Sequence, residues 1–183
     1  MKDYTGKTAE EYEKIRSGNI IWKRETETVQ DLLIEGAPKN VLDVPVGTGR
    51  FFSIYDKLGI DCVGVDISKD MLVEARRKNT HYPLMTGDVF DLPFEDNKFD
   101  TTLCTRLLTW FNIDQIRKAA NELVRVTKHS IICSVWLGQE NRKRAVVANK
   151  KEEWNAVWKP YELSSYSIRK QKRKEYRIYR ITL

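Results

Sequence analysis

Three acidic residues and a pair of glycines set the chemistry open to this chain. Asp43 and the turn Gly47-Thr48-Gly49 belong to one apolar run, Asp66 ends a second, and Asp88 follows a third. Two glycines at that spacing let backbone approach a ligand with no Cβ in the way. The helical pattern that follows, over residues 51–58, offers free N–H groups at its start. This is the strand–turn–helix grammar of a nucleotide-type site in an α/β fold. A carboxylate inside the approach to the turn suits an ammonium or sulfonium and repels a pyrophosphate. Asp66, 17 positions after Gly49, can accept two hydrogen bonds from a ribose diol. NAD-binding folds use an acid at the same place, so Asp66 alone does not choose the cofactor.

Two nucleotide fingerprints are absent. The dinucleotide pattern Gly-x-Gly-x-x-Gly meets Phe52 where its third glycine belongs, and no Gly-Lys-Ser/Thr is present for a P-loop. The run Asp43-x-Pro45-x-Gly47-x-Gly49 instead resembles the first motif of the class I S-adenosylmethionine-dependent methyltransferases, acidic-x-Gly-x-Gly-x-Gly. It departs from that motif at Pro45, which removes one N–H and fixes φ. The resemblance covers residues 37–183 and implies S-adenosylmethionine as cofactor. It implies Asp43, Pro45, Gly47 and Gly49 in the cofactor loop and Asp66 at the ribose. Asp88 would meet the adenine amino group, with Val89, Ile67 and Met71 as apolar neighbours of the ring. Thr105 and Arg106 would stand where a backbone carbonyl receives the methionine ammonium. Upstream, Tyr4, Tyr12, Arg16 and Trp22 lie in a segment that, by the same resemblance, folds over the cofactor as a lid, and Trp110 lies in a loop facing the acceptor. No catalytic residue is named: the chemistry needs orientation more than a base, and Asp/Asn-Pro-Pro-Tyr and Pro-Cys, the motifs of DNA-base methylation, are absent.

Each of these residues also has a plainer reading. Asp43 can cap a turn and Asp66 a helix. Asp88 can be a solvated acid among Asp91, Glu95 and Asp96. Trp110 and Phe111 can be core packing, and the upstream segment can be an ordinary docking helix. The order of the acids, one after each of three successive strands, is what favours the joint reading.

The elements that must hold these residues follow from periodicity and punctuation. Residues 8–16 read as a short helix, broken at Gly18-Asn19, and a second helix runs over 20–34. Strands are expected at 41–46, 62–67, 84–86, 99–105 and 130–136, with helices at 69–78 and 113–126 between them. Ser68 and Asn112 are good N-caps. A short helix at 151–158 precedes alternating runs at 161–169 and 176–183, which read as a hairpin. The expected fold is α/β, a Rossmann-like doubly wound sheet, mostly parallel with an antiparallel C-terminal hairpin strand and helices on both faces. One domain over 1–183 is expected, with 1–36 as a helical lid segment and 37–183 as the cofactor-binding core.

Composition narrows the setting. The chain has 183 residues, 41% hydrophobic and 32% charged, with no membrane-length apolar run and no signal-peptide core at the N-terminus. Three cysteines without Cys-x-x-Cys spacing point to reduced thiols and a cytoplasmic location. His81 and His129 neighbour no Cys or carboxylate cluster, so no metal is expected. The basic excess is C-terminal: residues 139–183 hold 13 Lys/Arg against 5 Asp/Glu, and the rest hold 19 against 21. That charge leaves RNA or another nucleic acid open as a partner through the 169–174 turn. A charged turn that keeps a sheet edge soluble is the favoured reading, with a small-molecule acceptor. The other functions weighed are a non-catalytic cofactor-binding partner protein and an NAD-linked oxidoreductase.

Overall fold

The computed structural model describes residues 6–78, 81–138, 150–171 and 174–183. Tyr4, the polar stretch 139–149 and the turn residues Lys172 and Arg173 lie outside the described residues.

The N-terminal segment holds α1 (Lys7–Glu10), α2 (Tyr12–Arg16) and α3 (Ile20–Gly36). The single short helix expected through Arg16 is therefore two turns broken at Glu11. So short a helix has little stability of its own and exists where it packs; Ala9 is buried, and the Gly6 N–H donates to Asp70 at 2.7 Å. Asn19 caps α3 through its side chain, and Ala37 closes it in the left-handed region, donating its N–H to the Leu33 carbonyl.

The sheet is built from β1 (Asn40–Asp43), β2 (Asp61–Asp66), β3 (Leu84–Thr86), β4 (Phe99–Cys104), β5 (Thr127–Gly138), β6 (Glu162–Gln171) and β7 (Lys174–Thr182). Between them run α4 (Phe52–Leu58), α5 (Lys69–Lys78), α6 (Ile113–Val126) and α7 (Lys151–Val157). Strand order is β3-β2-β1-β4-β5-β7-β6. The first five are parallel, and β7 runs antiparallel to both β5 and β6. Strand order reverses between β1 and β4, and in open α/β sheets ligands bind in the crevice at that point, beyond the carboxyl ends of the strands.

Expected β1 ends three residues early. Pro45 has no N–H to extend a ladder, so the chain turns after Asp43. Val44 and Val46 still donate to the Leu103 and Val65 carbonyls, at 2.9 and 2.8 Å, which pins the turn between β4 and β2. The irregular stretch expected after β4 contains a short 3-10 helix, Leu108–Trp110. α6 starts with a full capping box, Asn112 with Gln115.

Helices cover both faces. On one, Ile116 and Leu123 of α6 and Trp154 of α7 pack with Leu42, Ile131, Cys133 and Ile181. On the other, Val29 and Leu33 of α3, Phe52 and Tyr55 of α4 and Leu72 of α5 pack with Val41, Cys62, Leu103 and Ile178. Neighbours such as Ile131 and Ile132 go to opposite faces, as the pleat requires. Cys62, Cys104 and Cys133 are free thiols buried in these strands.

Candidate functional site

The carboxyl ends of β1, β2 and β4 bring the first motif residues together. Asp43 closes β1 and is fully buried. One carboxylate oxygen accepts a hydrogen bond from the Tyr55 hydroxyl at 3.0 Å; the other has no partner among the described residues. Burial, with the Asp66 charge nearby as a lesser contribution, pushes the Asp43 carboxyl up to about 8, and the Tyr55 hydrogen bond offsets only part of this. Thr48 Oγ1 is a second buried polar atom at this turn without a partner among the described residues. Buried groups of this kind call for a polar or charged counterpart. A cationic ligand in the crevice suits both the donor-poor Asp43 and the open turn.

The turn itself needs its glycines. Gly47 and Gly49 have φ of +56° and +70°, a region that side chains disfavour. A Cβ on Gly47 would meet no atom within 4 Å, whereas one on Gly49 would lie 2.2 Å from the Phe52 ring. Gly47 therefore faces open space, and Gly49 packs closely against α4.

Asp66 ends β2, largely buried. Its two oxygens accept from the Gly47 N–H at 2.8 Å and the Ser68 N–H at 2.9 Å. Burial raises its carboxyl above the usual range, and the backbone donors of Ser68, Gly47 and Ile67 counter this. Each oxygen keeps a second acceptor position, so the ribose and capping readings of Asp66 are compatible in one geometry. Met71 is buried on α5, while Ile67 is 58% exposed. Asp88 is exposed and accepts from the Phe90 N–H at 3.1 Å, a local turn that leaves its other oxygen to solvent. Val89 is buried. Trp110, in the 3-10 helix, is half-buried and packs against the core.

The N-terminal segment contributes more than the sequence suggested. Glu25 of α3 is fully buried and gathers four donors. Arg50 Nη1 and Arg106 Nε reach one oxygen at 2.6 Å each, and the Ser134 hydroxyl at 2.9 Å and the Tyr176 hydroxyl reach the other. Burial alone would raise its carboxyl, but Arg106 and Arg50 outweigh that and hold it below the usual carboxylate range. The two guanidiniums stay charged at any physiological pH. Arg50 stacks on the Trp22 ring at 3.8 Å, with Arg106 5.0 Å from the same ring. Tyr12 meets Trp22 edge-on at 5.9 Å, and Arg16 lies over Tyr12. Tyr12, Arg16 and Trp22 are thus brought together beside the cofactor-type turn and the end of β4.

Arg106 is held in an unusual backbone state, φ 62°. Its N–H donates to Ser134 at 2.9 Å, which fixes the bend at the end of β4. Thr105, just before it, is buried. Sequence reasoning missed Glu25, Arg50, Ser134 and Tyr176. The available signal was Glu25 itself, a charge on the helix face that also carries Trp22, Val29, Leu32 and Leu33.

A family model described as a methyltransferase domain matches residues 42–134. Demethylmenaquinone methyltransferase of Paenarthrobacter aurescens (strain TC1) is 36% identical over 107 residues, covering 58% of this chain and 40% of the relative. A malonyl-[acyl-carrier protein] O-methyltransferase of Buchnera aphidicola subsp. Baizongia pistaciae (strain Bp) is 37% identical over 89 residues, 49% of this chain and 35% of the relative. The chain thus matches less than half the length of these two relatives. Among solved structures, magnesium protoporphyrin IX methyltransferase from Synechocystis PCC 6803 with bound S-adenosylmethionine superposes with a TM-score of 0.75 at 15% identity, covering 98% of this chain and 92% of that one. A methyltransferase from Clostridium acetobutylicum ATCC 824 gives 0.76 at 18% identity, covering 97% and 98%. At these identities the likeness is one of fold. The family match is a different matter, since it starts inside β1, takes in the whole crevice between β1 and β4, and extends over half of the chain: the protein belongs to the methyltransferase-domain family.

Proposed function

We propose that this protein binds S-adenosylmethionine across the β1–β4 switch point and transfers its methyl group to a small-molecule acceptor. The observation that carries this reading is Asp43, fully buried with one oxygen unpartnered among the described residues, beneath a turn that is open at Gly47. Asp66 would hold the ribose diol. Met71, Ile67 and Val89 would flank the adenine, with Asp88 at its amino group. The backbone at Thr105 and Arg106 would receive the methionine ammonium. When bound, the cofactor supplies a methyl carbon already activated by the sulfonium for in-line attack by an acceptor lone pair.

The chain's own part is orientation and exclusion of water. Holding two reactants in line can take about 7–11 kcal/mol off the barrier without any base. Trp22 and Tyr12, tied down through Glu25 and Arg50, are the residues of the lid in this reading. A small acceptor agrees with relatives whose names specify demethylmenaquinone and magnesium protoporphyrin IX as the acceptors of those proteins. The test is transfer of labelled methyl from S-adenosylmethionine into a cell extract separated by size. Label is expected in the small-molecule fraction. Label confined to RNA would overturn the acceptor class, and cofactor binding with no transfer to any fraction would favour a non-catalytic binding protein.

A further inference from the structure

The Glu25 network is not electrically balanced. It holds one carboxylate and two guanidiniums, with Tyr176 kept neutral because burial, and then the Glu25 charge, push its hydroxyl well above its ordinary value. A net positive charge therefore sits at the carboxyl ends of β4 and β5 and the amino end of the antiparallel β7. Arg50 is largely committed, with four of its five N–H donors placed: Nη1 goes to Glu25, and Nε and Nη2 go to Thr26 and the Trp22 carbonyl. Arg106 is not. Its Nε is held by Glu25, its Nη atoms have no acceptor among the described residues, and its side chain is 22% exposed. The guanidinium is fixed by Glu25 and by the Trp22 ring, so little freedom remains to be lost on binding. Lys174, over the Trp136 ring beside Tyr176, adds a second cation at this end of the sheet. The two acids of the crevice, Asp43 and Asp66, end β1 and β2 instead.

We propose that the free Nη edge of Arg106 is a carboxylate-recognition point of the site. This rests on the methyltransferase reading for its two sources: the carboxylate of the acceptor, or the methionine carboxylate of the cofactor. A planar fork of two N–H donors matches a carboxylate two-to-two, which an ammonium does not.

Two arms separate the sources. In the first, wild type, Arg106→Gln and Arg106→Lys are titrated with S-adenosylhomocysteine and with 5′-methylthioadenosine, which lacks the amino-acid part. In the second, benzoate and its neutral isostere benzamide are titrated into the S-adenosylhomocysteine-loaded and the free protein, followed by NMR. If the cofactor is the source, Arg106→Gln weakens S-adenosylhomocysteine by about 10- to 100-fold and leaves 5′-methylthioadenosine unchanged. If the acceptor is the source, both nucleosides are unchanged and the preference for benzoate over benzamide disappears. Arg106→Lys, which keeps the charge facing Glu25 but lacks the fork, gives a smaller loss in the same arm and carries the test should the Gln variant fail to fold. Both discriminations unchanged in both variants would overturn the proposal and leave Arg106 as a latch alone. Wild type that binds neither nucleoside would instead contradict the cofactor reading, and the benzoate arm on the free protein would still decide the role of Arg106.

Discussion

The carboxylate of Glu25 and the guanidinium of Arg106 meet at 2.6 Å across 81 residues of sequence. The contact ties the N-terminal helix α3 to the bend that ends β4, and Arg50 ties the same carboxylate to the Gly-x-Gly turn. One buried acid thus joins the N-terminal segment to both sides of the switch point. Removing it would leave two partly buried cations without their counter-ion, which costs up to about 3–5 kcal/mol. For a chain of this size Glu25→Gln is therefore expected to lower Tm by roughly 6–20 °C, measured by circular dichroism at pH 7. Because the folded-state carboxyl of Glu25 is held below its ordinary 4.5, its contribution is present above that pH and is lost as pH falls below it. The variant should accordingly lose part of the wild-type acid sensitivity below about pH 4.5. An unchanged Tm would mean that the network contributes no net stability.

Asp43 gives a pH dependence of the opposite sign. Its folded-state value of about 8 stands above the ordinary 3.8, so the native protein keeps a proton that the unfolded chain has released. The stability linked to this group is complete below about pH 4 and declines as pH rises through 8. A cationic ligand favours the ionised form. Affinity for S-adenosylmethionine should therefore climb between pH 6 and 8, by at most about tenfold per unit for one released proton. S-adenosylhomocysteine, which lacks the sulfonium charge, should follow more weakly, and Asp43→Asn should flatten both curves. A wild-type curve already flat between pH 6 and 8 contradicts this account of Asp43.

The two glycines should separate by substitution. Gly47→Ala puts a methyl group into open space at a left-handed φ, costing roughly 1–2 kcal/mol of stability. It should fold and lose most of its cofactor affinity, because the new Cβ stands in the ligand's approach. Gly49→Ala drives a Cβ to within 2.2 Å of the buried Phe52 ring and should cost about 3 kcal/mol or more. Chemical denaturation beside cofactor titration checks both. Equal loss of stability in the two variants would mean that Gly47 is as structural as Gly49.

Much of this fold was legible in the sequence because each signal was local. Gly59, Asn112 and Asn19 stop or start their helices where expected. The acids ending β1 and β2 and following β3 could be found by counting from apolar runs. Pro45 was read as a lost amide, and the same missing donor ends β1 at Asp43. The Glu25 network was not legible, because its partners lie 25, 81, 109 and 151 positions away and only the folded sheet brings them together. A charge on the apolar face of α3 marked that something was buried there, without saying what. Asp88 shows the converse: its place after β3 was legible, but whether its carboxylate serves a ligand or the local turn with Phe90 depends on side-chain direction.

The basic hairpin lies at the same end of the sheet as the crevice, since Lys174 pairs with Gly138 at the end of β5. Changing Lys170, Lys172, Arg173 and Lys174 together to Gln should still leave affinity for S-adenosylhomocysteine unchanged. Weak binding of single-stranded RNA, if seen at low salt, should vanish at moderate salt in wild type and variant alike, because no aromatic residue is interleaved in the turn to stack bases. A large, salt-dependent loss of RNA binding in the variant, with cofactor binding intact, would instead make nucleic acid the acceptor class.

The central claim is that the β1–β4 crevice takes S-adenosylmethionine, and calorimetric titration tests it most directly. Wild type and Asp66→Ala are each titrated with S-adenosylmethionine, S-adenosylhomocysteine and NAD. The account predicts one-to-one binding of both adenosyl ligands to wild type, NAD much weaker, and a loss of roughly 1.5–3 kcal/mol in the variant. NAD binding more tightly than both, or wild type and Asp66→Ala binding the adenosyl ligands equally, would contradict it.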